Sequence, residues 1–115
     1  MTPQGPAIWR LDGRVVVITG AAGLLGEMHA EAVADAGGLP VLLDICGPRG
    51  IEIARRLRDR HGADALVVEA DVTKKESLEA ARKEIVTRYG RIDVLVNNAA
   101  LDSKVSAGGT VTGMR

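Results

Sequence analysis

The stretch Val15-Val16-Val17-Ile18-Thr19-Gly20-Ala21-Ala22-Gly23-Leu24-Leu25-Gly26 decides how this chain is read. Its first four residues are β-branched and apolar, too few for a helix and continuous rather than alternating in polarity. Such a run suits a strand buried on both faces. The glycines that follow let the backbone turn tightly and approach a ligand without a Cβ in the way. Beyond Gly26 the apolar residues take helical spacing, so the N–H groups at the helix head face outward, where the helix dipole favours an anion. Strand, glycine turn and helix in immediate succession form the setting in which a diphosphate is gripped. The rival reading is a glycine-rich turn with a purely structural role.

The same pattern recurs outward from this stretch. Val41-Leu42-Leu43, Ala65-Leu66-Val67-Val68 and Ile92-Asp93-Val94-Leu95-Val96 read as three further buried strands. Pro40 cannot donate to a ladder and belongs at the start of its strand. Three helical segments separate the strands. The first turns Leu25, Met28, Ala32, Val33 and Ala36 inward and stops at Gly37-Gly38. The second starts near Pro48, turns Ile51, Ala54 and Leu57 inward and stops at Gly62. The third opens on Thr73-Lys74-Lys75-Glu76, a capping-box pattern. It presents Leu78, Ala81, Ile85 and Tyr89 and stops at Gly90. Four strands alternating with three helices predict an α/β, Rossmann-type three-layer fold around a parallel sheet. Residues 1–12 read as an N-terminal arm, 13–101 as a dinucleotide-binding half-domain, and 102–115 as a loop short of its next element.

Composition narrows the function. The 115 residues suffice for one small domain, and fifteen basic side chains balance fifteen acidic ones. A neutral chain has no electrostatic footprint for nucleic acid, and no basic run argues for a membrane surface. No apolar stretch approaches the ~20 residues needed to span a bilayer, and the first six residues lack the apolar core of a signal peptide. The single cysteine, Cys46, excludes an intramolecular disulfide and fits a reducing cytoplasm. With one Trp, one Tyr and no Phe, the core is built from Val, Leu, Ile and Ala.

A dinucleotide site would draw on each strand end. The turn supplies Gly20, Gly23, Leu24, Leu25 and Gly26. Asp44 ends the second strand, eighteen positions after Gly26, where an acid binds the adenosine ribose hydroxyls. A carboxylate there repels a 2′-phosphate, so NAD is expected in preference to NADP. No Arg or Lys stands at Ile45 or Cys46 to reverse this, and Arg49 is a distant exception. A helix N-cap is the plainer role for Asp44. Asp71 and Val72 follow the third strand, either beside the adenine ring or simply at the start of the next helix. Asn97-Asn98-Ala99-Ala100 ends the fourth. Small residues there would let ribose and phosphates lie against the backbone, while Asn97 and Asn98 also satisfy main-chain groups where the sheet stops. His29 and His61 lack partners at metal-ligand spacing, so no metal site is expected. Cys46 reads as a bystander thiol, and Arg55 to Arg60 as the wet face of a helix.

Taken together, Thr19-Gly20…Gly23…Gly26, Asp44, Asp71-Val72, Gly90-Arg91-Ile92-Asp93 and Asn97-Asn98-Ala99-Ala100 resemble the short-chain dehydrogenases/reductases, from about Leu11 to Leu101. The resemblance implies strand order 3-2-1-4, an NAD-dependent oxidoreductase moving hydride between nicotinamide and an alcohol or carbonyl substrate, and a small-molecule substrate for the whole protein. Two departures stand out. The glycines are spaced T-G-x-x-G-x-x-G, as in the extended branch with its nucleotide-sugar epimerases and dehydratases, not T-G-x-x-x-G-x-G. Ala100 also replaces the last glycine of N-N-A-G.

The family's catalytic Ser and Tyr-x-x-x-Lys lie well downstream. Tyr89 is followed four places later by Asp93 rather than Lys, so no catalytic residue is assigned in this chain. The resemblance therefore implies a chain truncated before its catalytic set, inactive alone, and with strand 4 left as a bare edge. Such a chain would be marginally stable or sticky, and stabilised by NAD. The whole protein is expected to be oligomeric, which leaves the state of this chain open. Alternatives are a non-catalytic dinucleotide-binding module and an epimerase or dehydratase.

Overall fold

The computed structural model describes residues 10–98. Seven elements alternate along the chain: β1 (Val15–Thr19), α1 (Leu24–Asp35), β2 (Leu39–Asp44), α2 (Gly47–His61), β3 (Leu66–Glu69), α3 (Lys75–Tyr89) and β4 (Val94–Asn97). The strands form one parallel sheet in the order β3-β2-β1-β4. The expected α/β architecture and strand order are both present.

The continuous apolar runs serve two faces at once. Val16, Ile18 and Leu42 point to one side, where they meet Ala30, Val33 and Ala34 of α1 and Ile53 and Leu57 of α2. Val15, Val17, Val41, Leu43 and Val68 point to the other, against Ala81 and Ile85 of α3. Two helices therefore cover one face and one covers the other. Pro40 sits inside β2, opposite Val16, and is tolerated for a definite reason. The amide of Leu39 donates to the Arg14 carbonyl, so the next backbone nitrogen faces the β3 side. Pairing with β3 begins only at Val41–Leu66, and no ladder donor is required of residue 40.

Several inward faces differ from expectation. In α1 the buried residues are Gly26, Ala30, Val33 and Ala34, whereas Leu25 and Met28 are 55% and 59% exposed and Ala32 is exposed. Ala30, Val33 and Ala34 face the sheet, in one core with Val16, Ile18 and Leu42. In α2 the inward pair is Ile53 and Leu57, with Ile51 exposed. In α3 Leu78 is exposed, and Ala81 and Ile85 carry the contact. The fourth strand is not buried on both faces: Leu95 is 61% exposed, and Ile92 and Val94 are exposed too. Among the described residues β4 has a strand on one flank only. A groove between α3 and β4 runs over β1, lined by Val17, Leu43, Leu78, Ile85 and Leu95.

Candidate functional site

The chain winds from β1 outward through β2 to β3, then crosses back to place β4 on the other flank of β1. The reversal opens a crevice at the carboxyl ends of β1 and β4, the place where open α/β sheets bind ligands. The glycine turn lies there. Gly20 has φ +65°, a left-handed conformation that a side chain disfavours. Its amide donates to the Leu43 carbonyl at 2.9 Å, which anchors the turn to β2.

Gly26 is required for a different reason. A Cβ there would lie 2.7 Å from Ala21 Cα and 2.9 Å from its carbonyl carbon, and closer still to the Gly20 carbonyl oxygen. Gly23 is under no such demand: its φ is −82°, and the nearest atom to a Cβ would be 3.8 Å away. The spacing that resembles the extended branch is thus not imposed by crowding within the turn.

The head of α1 leaves its first amides outside the helix's own hydrogen bonding. Its first hydrogen bond runs from the Glu27 amide to the Gly23 carbonyl, so the Leu24, Leu25 and Gly26 amides precede the helix's own ladder. Gly23, the N-cap, makes no side-chain cap. Leu24 stands where the commoner glycine spacing has its middle glycine, and its side chain is 77% exposed.

Asp44 leans over the turn from the tip of β2. One carboxylate oxygen accepts from the Ala22 amide at 3.0 Å and the other from the Cys46 amide at 2.8 Å. A carboxylate has about four acceptor positions, so both oxygens retain room for a hydroxyl. The alternative of a side-chain N-cap on α2 is not realised: Cys46 is the N-cap residue and carries no side-chain cap.

From the opposite flank, the Asn98 side-chain amide donates to the Gly20 carbonyl at 3.1 Å, and its backbone amide donates to Thr19 Oγ1 at 2.9 Å. Thr19 Oγ1 in turn donates toward Asn97 Oδ1 at 3.2 Å. The tips of β1, β2 and β4 are therefore tied together through the turn. Thr19 is the residue whose role sequence reasoning missed, although its place just before Gly20 was the available signal. Ala99 and Ala100 lie outside the described residues.

Asp71 and Val72 follow β3 beside the Asp44 tip, where the Ala70 amide donates to the Asp44 carbonyl at 2.9 Å. The Asp71 carboxylate accepts from the Thr73 hydroxyl at 2.6 Å and the Thr73 amide at 2.9 Å. These two bonds, the hydroxyl's first, hold its carboxyl below the ordinary value of 3.8. The Asp71 amide donates to Ser77 Oγ. Thr73 is engaged by Asp71, and Lys74 is the N-cap of α3 without a side-chain cap, so the anticipated capping box does not form. Val72 reaches the α3–β4 groove, which Thr19 and Asn97 also line. Tyr89 packs against the α3-side core, with the Arg88 guanidinium 5.5 Å from its ring centre.

Asp93 is a second residue of unforeseen importance. One of its carboxylate oxygens accepts from the Val15 amide and from Arg91 Nε, both at 2.8 Å, while its own amide donates to the Val15 carbonyl. Those contacts, the Val15 amide foremost, lower its carboxyl below the ordinary 3.8. His61 Nε2 pairs with Glu31 Oε1 at 2.6 Å. Among the described residues no group of three His, Cys, Asp or Glu side chains could hold a metal ion, and no helix is long and apolar enough to cross a membrane.

Comparison with known proteins agrees with this geometry. The model of the short chain dehydrogenase family matches residues 14–111. A sorbitol dehydrogenase of Cereibacter sphaeroides is 39% identical over 92 residues, which cover 80% of this chain and 34% of that protein. The L-sorbose reductase of Gluconobacter frateurii, solved with NADPH and L-sorbose, superposes with a TM-score of 0.78 at 35% identity, over 83% of this chain and 36% of that one. An NAD+-bound xylitol dehydrogenase gives 0.71 at 30% identity, over 77% and 34%. The chain spans about a third of the length of these relatives. With the family model covering most of its length, and with a glycine turn, sheet order and strand tips that suit it, the chain belongs to the short-chain dehydrogenase family.

Proposed function

We propose that this chain binds NAD(H) at the head of α1 and forms the cofactor-holding half of an oxidoreductase acting on an alcohol or carbonyl substrate. One observation carries the reading: an uncapped helix start at the β1–β4 crevice, with Asp44 on one side and Asn98 on the other. The Leu24, Leu25 and Gly26 amides would receive the pyrophosphate. Asp44 would accept the adenosine ribose hydroxyls and repel a 2′-phosphate, which favours NAD over NADP. Asp71 and Val72 would border the adenine, and Asn98, Ala99 and Ala100 the nicotinamide-side ribose and phosphate. The bound nicotinamide would supply the hydride acceptor or donor, and the residues of this chain would hold and orient it.

Residues 13–101 constitute this binding unit in our reading. Among the described residues we assign no proton donor for the reaction, since Asp93 rather than Lys stands four places after Tyr89. The polyol and ketose in the relatives' names support a hydroxyl–carbonyl pair as the reacting group. A reducing compartment such as the cytoplasm suits the exposed lone thiol of Cys46. Titration calorimetry with NAD+, NADH and NADP+ tests the proposal. NAD(H) should bind and NADP+ should bind more weakly; a folded chain with no affinity for any adenine dinucleotide would reject it.

A further inference from the structure

Glu27 is the acid in the first turn of α1, and its amide closes that turn on the Gly23 carbonyl at 2.9 Å. Its carboxylate is engaged from α2. One oxygen accepts from Arg56 Nε at 2.9 Å and the other from Arg56 Nη2 at 3.3 Å. The Glu27 side chain is only 15% exposed, so its field passes partly through protein, where charge acts more strongly than in water. Arg49 approaches the same carboxylate at 3.5 Å but hydrogen-bonds Glu52, which in turn lies 3.6 Å from Arg56. Two negative and two positive side chains thus sum to zero. An acid in a helix's first turn is drawn by the same positive end that draws a phosphate, and it repels that phosphate. A free Glu27 carboxylate would therefore oppose an anion at the Leu24, Leu25 and Gly26 amides.

We infer that Arg56 is a positioning residue for a bound pyrophosphate: acting through Glu27, it holds that carboxylate against α2 and cancels its charge, so that the head of α1 keeps its positive character. The inference rests on the dinucleotide reading above, and it requires no contact between Arg56 and the ligand. The guanidinium fork suits the task because it takes both carboxylate oxygens at once and fixes their direction, which a lysine ammonium would not do. α2 thereby contributes to phosphate binding although the glycine turn belongs to β1 and α1.

The test removes Arg56 and then the charge that it cancels. Arg56→Met keeps the apolar stem and leaves the cluster with one net negative charge, so NAD+ affinity in titration calorimetry should fall about threefold. Adding Glu27→Gln to Arg56→Met restores neutrality and should restore NAD+ affinity. Adenosine, which carries no phosphate, should bind all three proteins alike. In about 1 M salt, where the screening length is about 3 Å, the gap between Arg56→Met and the unsubstituted protein should close. A loss that persists in the double variant, or that extends to adenosine, would mean that Arg56 merely braces the two helices, and it overturns the inference. Unchanged NAD+ affinity in a folded Arg56→Met protein overturns it as well. If circular dichroism shows that Arg56→Met does not fold, Glu27→Gln alone gives the cluster one net positive charge and should tighten NAD+ binding about twofold; no gain there is equally decisive against it. Failure of the unsubstituted protein to bind NAD+ is a different result, and it removes the dinucleotide reading itself along with this one.

Discussion

Replacing Gly26 with alanine sets two opposing terms against each other. Alanine inside a helix is favoured over glycine by about 0.5–1 kcal/mol, and the backbone of residue 26 is not among the left-handed glycines. Against this, the new methyl would press on Ala21 Cα at 2.7 Å and its carbonyl carbon at 2.9 Å. These are main-chain atoms of the turn and cannot swing aside as a side chain would. Overpacking costs about 1–3 kcal/mol, and a clash with backbone belongs at the upper end. The net loss is therefore about 2 kcal/mol, or about 10 °C in Tm for a chain of this size. The displaced turn should also lose NAD+ affinity, because its amides no longer converge. Thermal denaturation followed by circular dichroism, with and without NAD+, measures both effects. Gly23→Ala is the internal control: its methyl would have 3.8 Å of clearance, and only an N-cap difference of up to about 1 kcal/mol separates the two residues. Should Gly26→Ala melt within about 2 °C of the unsubstituted protein, or fall no further than Gly23→Ala, the close-approach argument is wrong.

Asp44→Ser should shrink the preference for NAD+ over NADP+ and destabilise the turn, since the Ala22 and Cys46 amides lose their carboxylate; an unchanged ratio by calorimetry excludes the ribose role. Asn98→Ala frees the Gly20 carbonyl and should weaken NAD+ binding more than it lowers Tm, by about 1 kcal/mol for the lost hydrogen bond; equal NAD+ affinities would dissociate Asn98 from the site. The Asp93 carboxyl is depressed below 3.8 in the folded state. Its contribution is therefore present above that pH and fades as pH falls through the lower folded value. Asp93→Asn should remove this part of the acid dependence; melting curves of both proteins between pH 5 and pH 2 would converge in acid, and parallel curves would refute the assignment.

The sheet and its order followed from the sequence because they rest on features that survive without tertiary knowledge. Runs such as Val15 to Ile18 are too apolar to be surface and too short to be helix. Glycines such as Gly62 and Gly90 end helices where expected. The faces of α1 were less readable because the largest apolar side chains, Leu25 and Met28, are not the buried ones. The face toward the sheet carries Ala30, Val33 and Ala34 instead, and a reading by hydrophobicity follows the larger side chains. Asp93 and Thr19 were overlooked for another reason: their partners, Val15 and Asn98, lie 78 and 79 residues away in the chain. Such pairings exist only once the strands are placed side by side. Arg56, within the Arg55 to Arg60 run, looked like solvent-facing charge, and only the packing of α1 beside α2 gives it Glu27 as a partner.

β1 and β2 are apolar on both faces, which has a consequence for how they find alignment. A strand with one wet side resists a one-residue slip because the slip would drown its greasy side and dry its polar one. Here such a slip would trade valine for valine, and water offers little guidance. The alignment must be written at the ends, where polar groups allow one pairing: Asp44 against the Ala22 amide ties β2 to the turn after β1, and on the other flank the Asp93 carboxylate meets the Val15 amide and Asn98 meets Thr19 and Gly20. The atoms that shape a prospective ligand cradle are thus also the ones that tell the strands where to stop sliding.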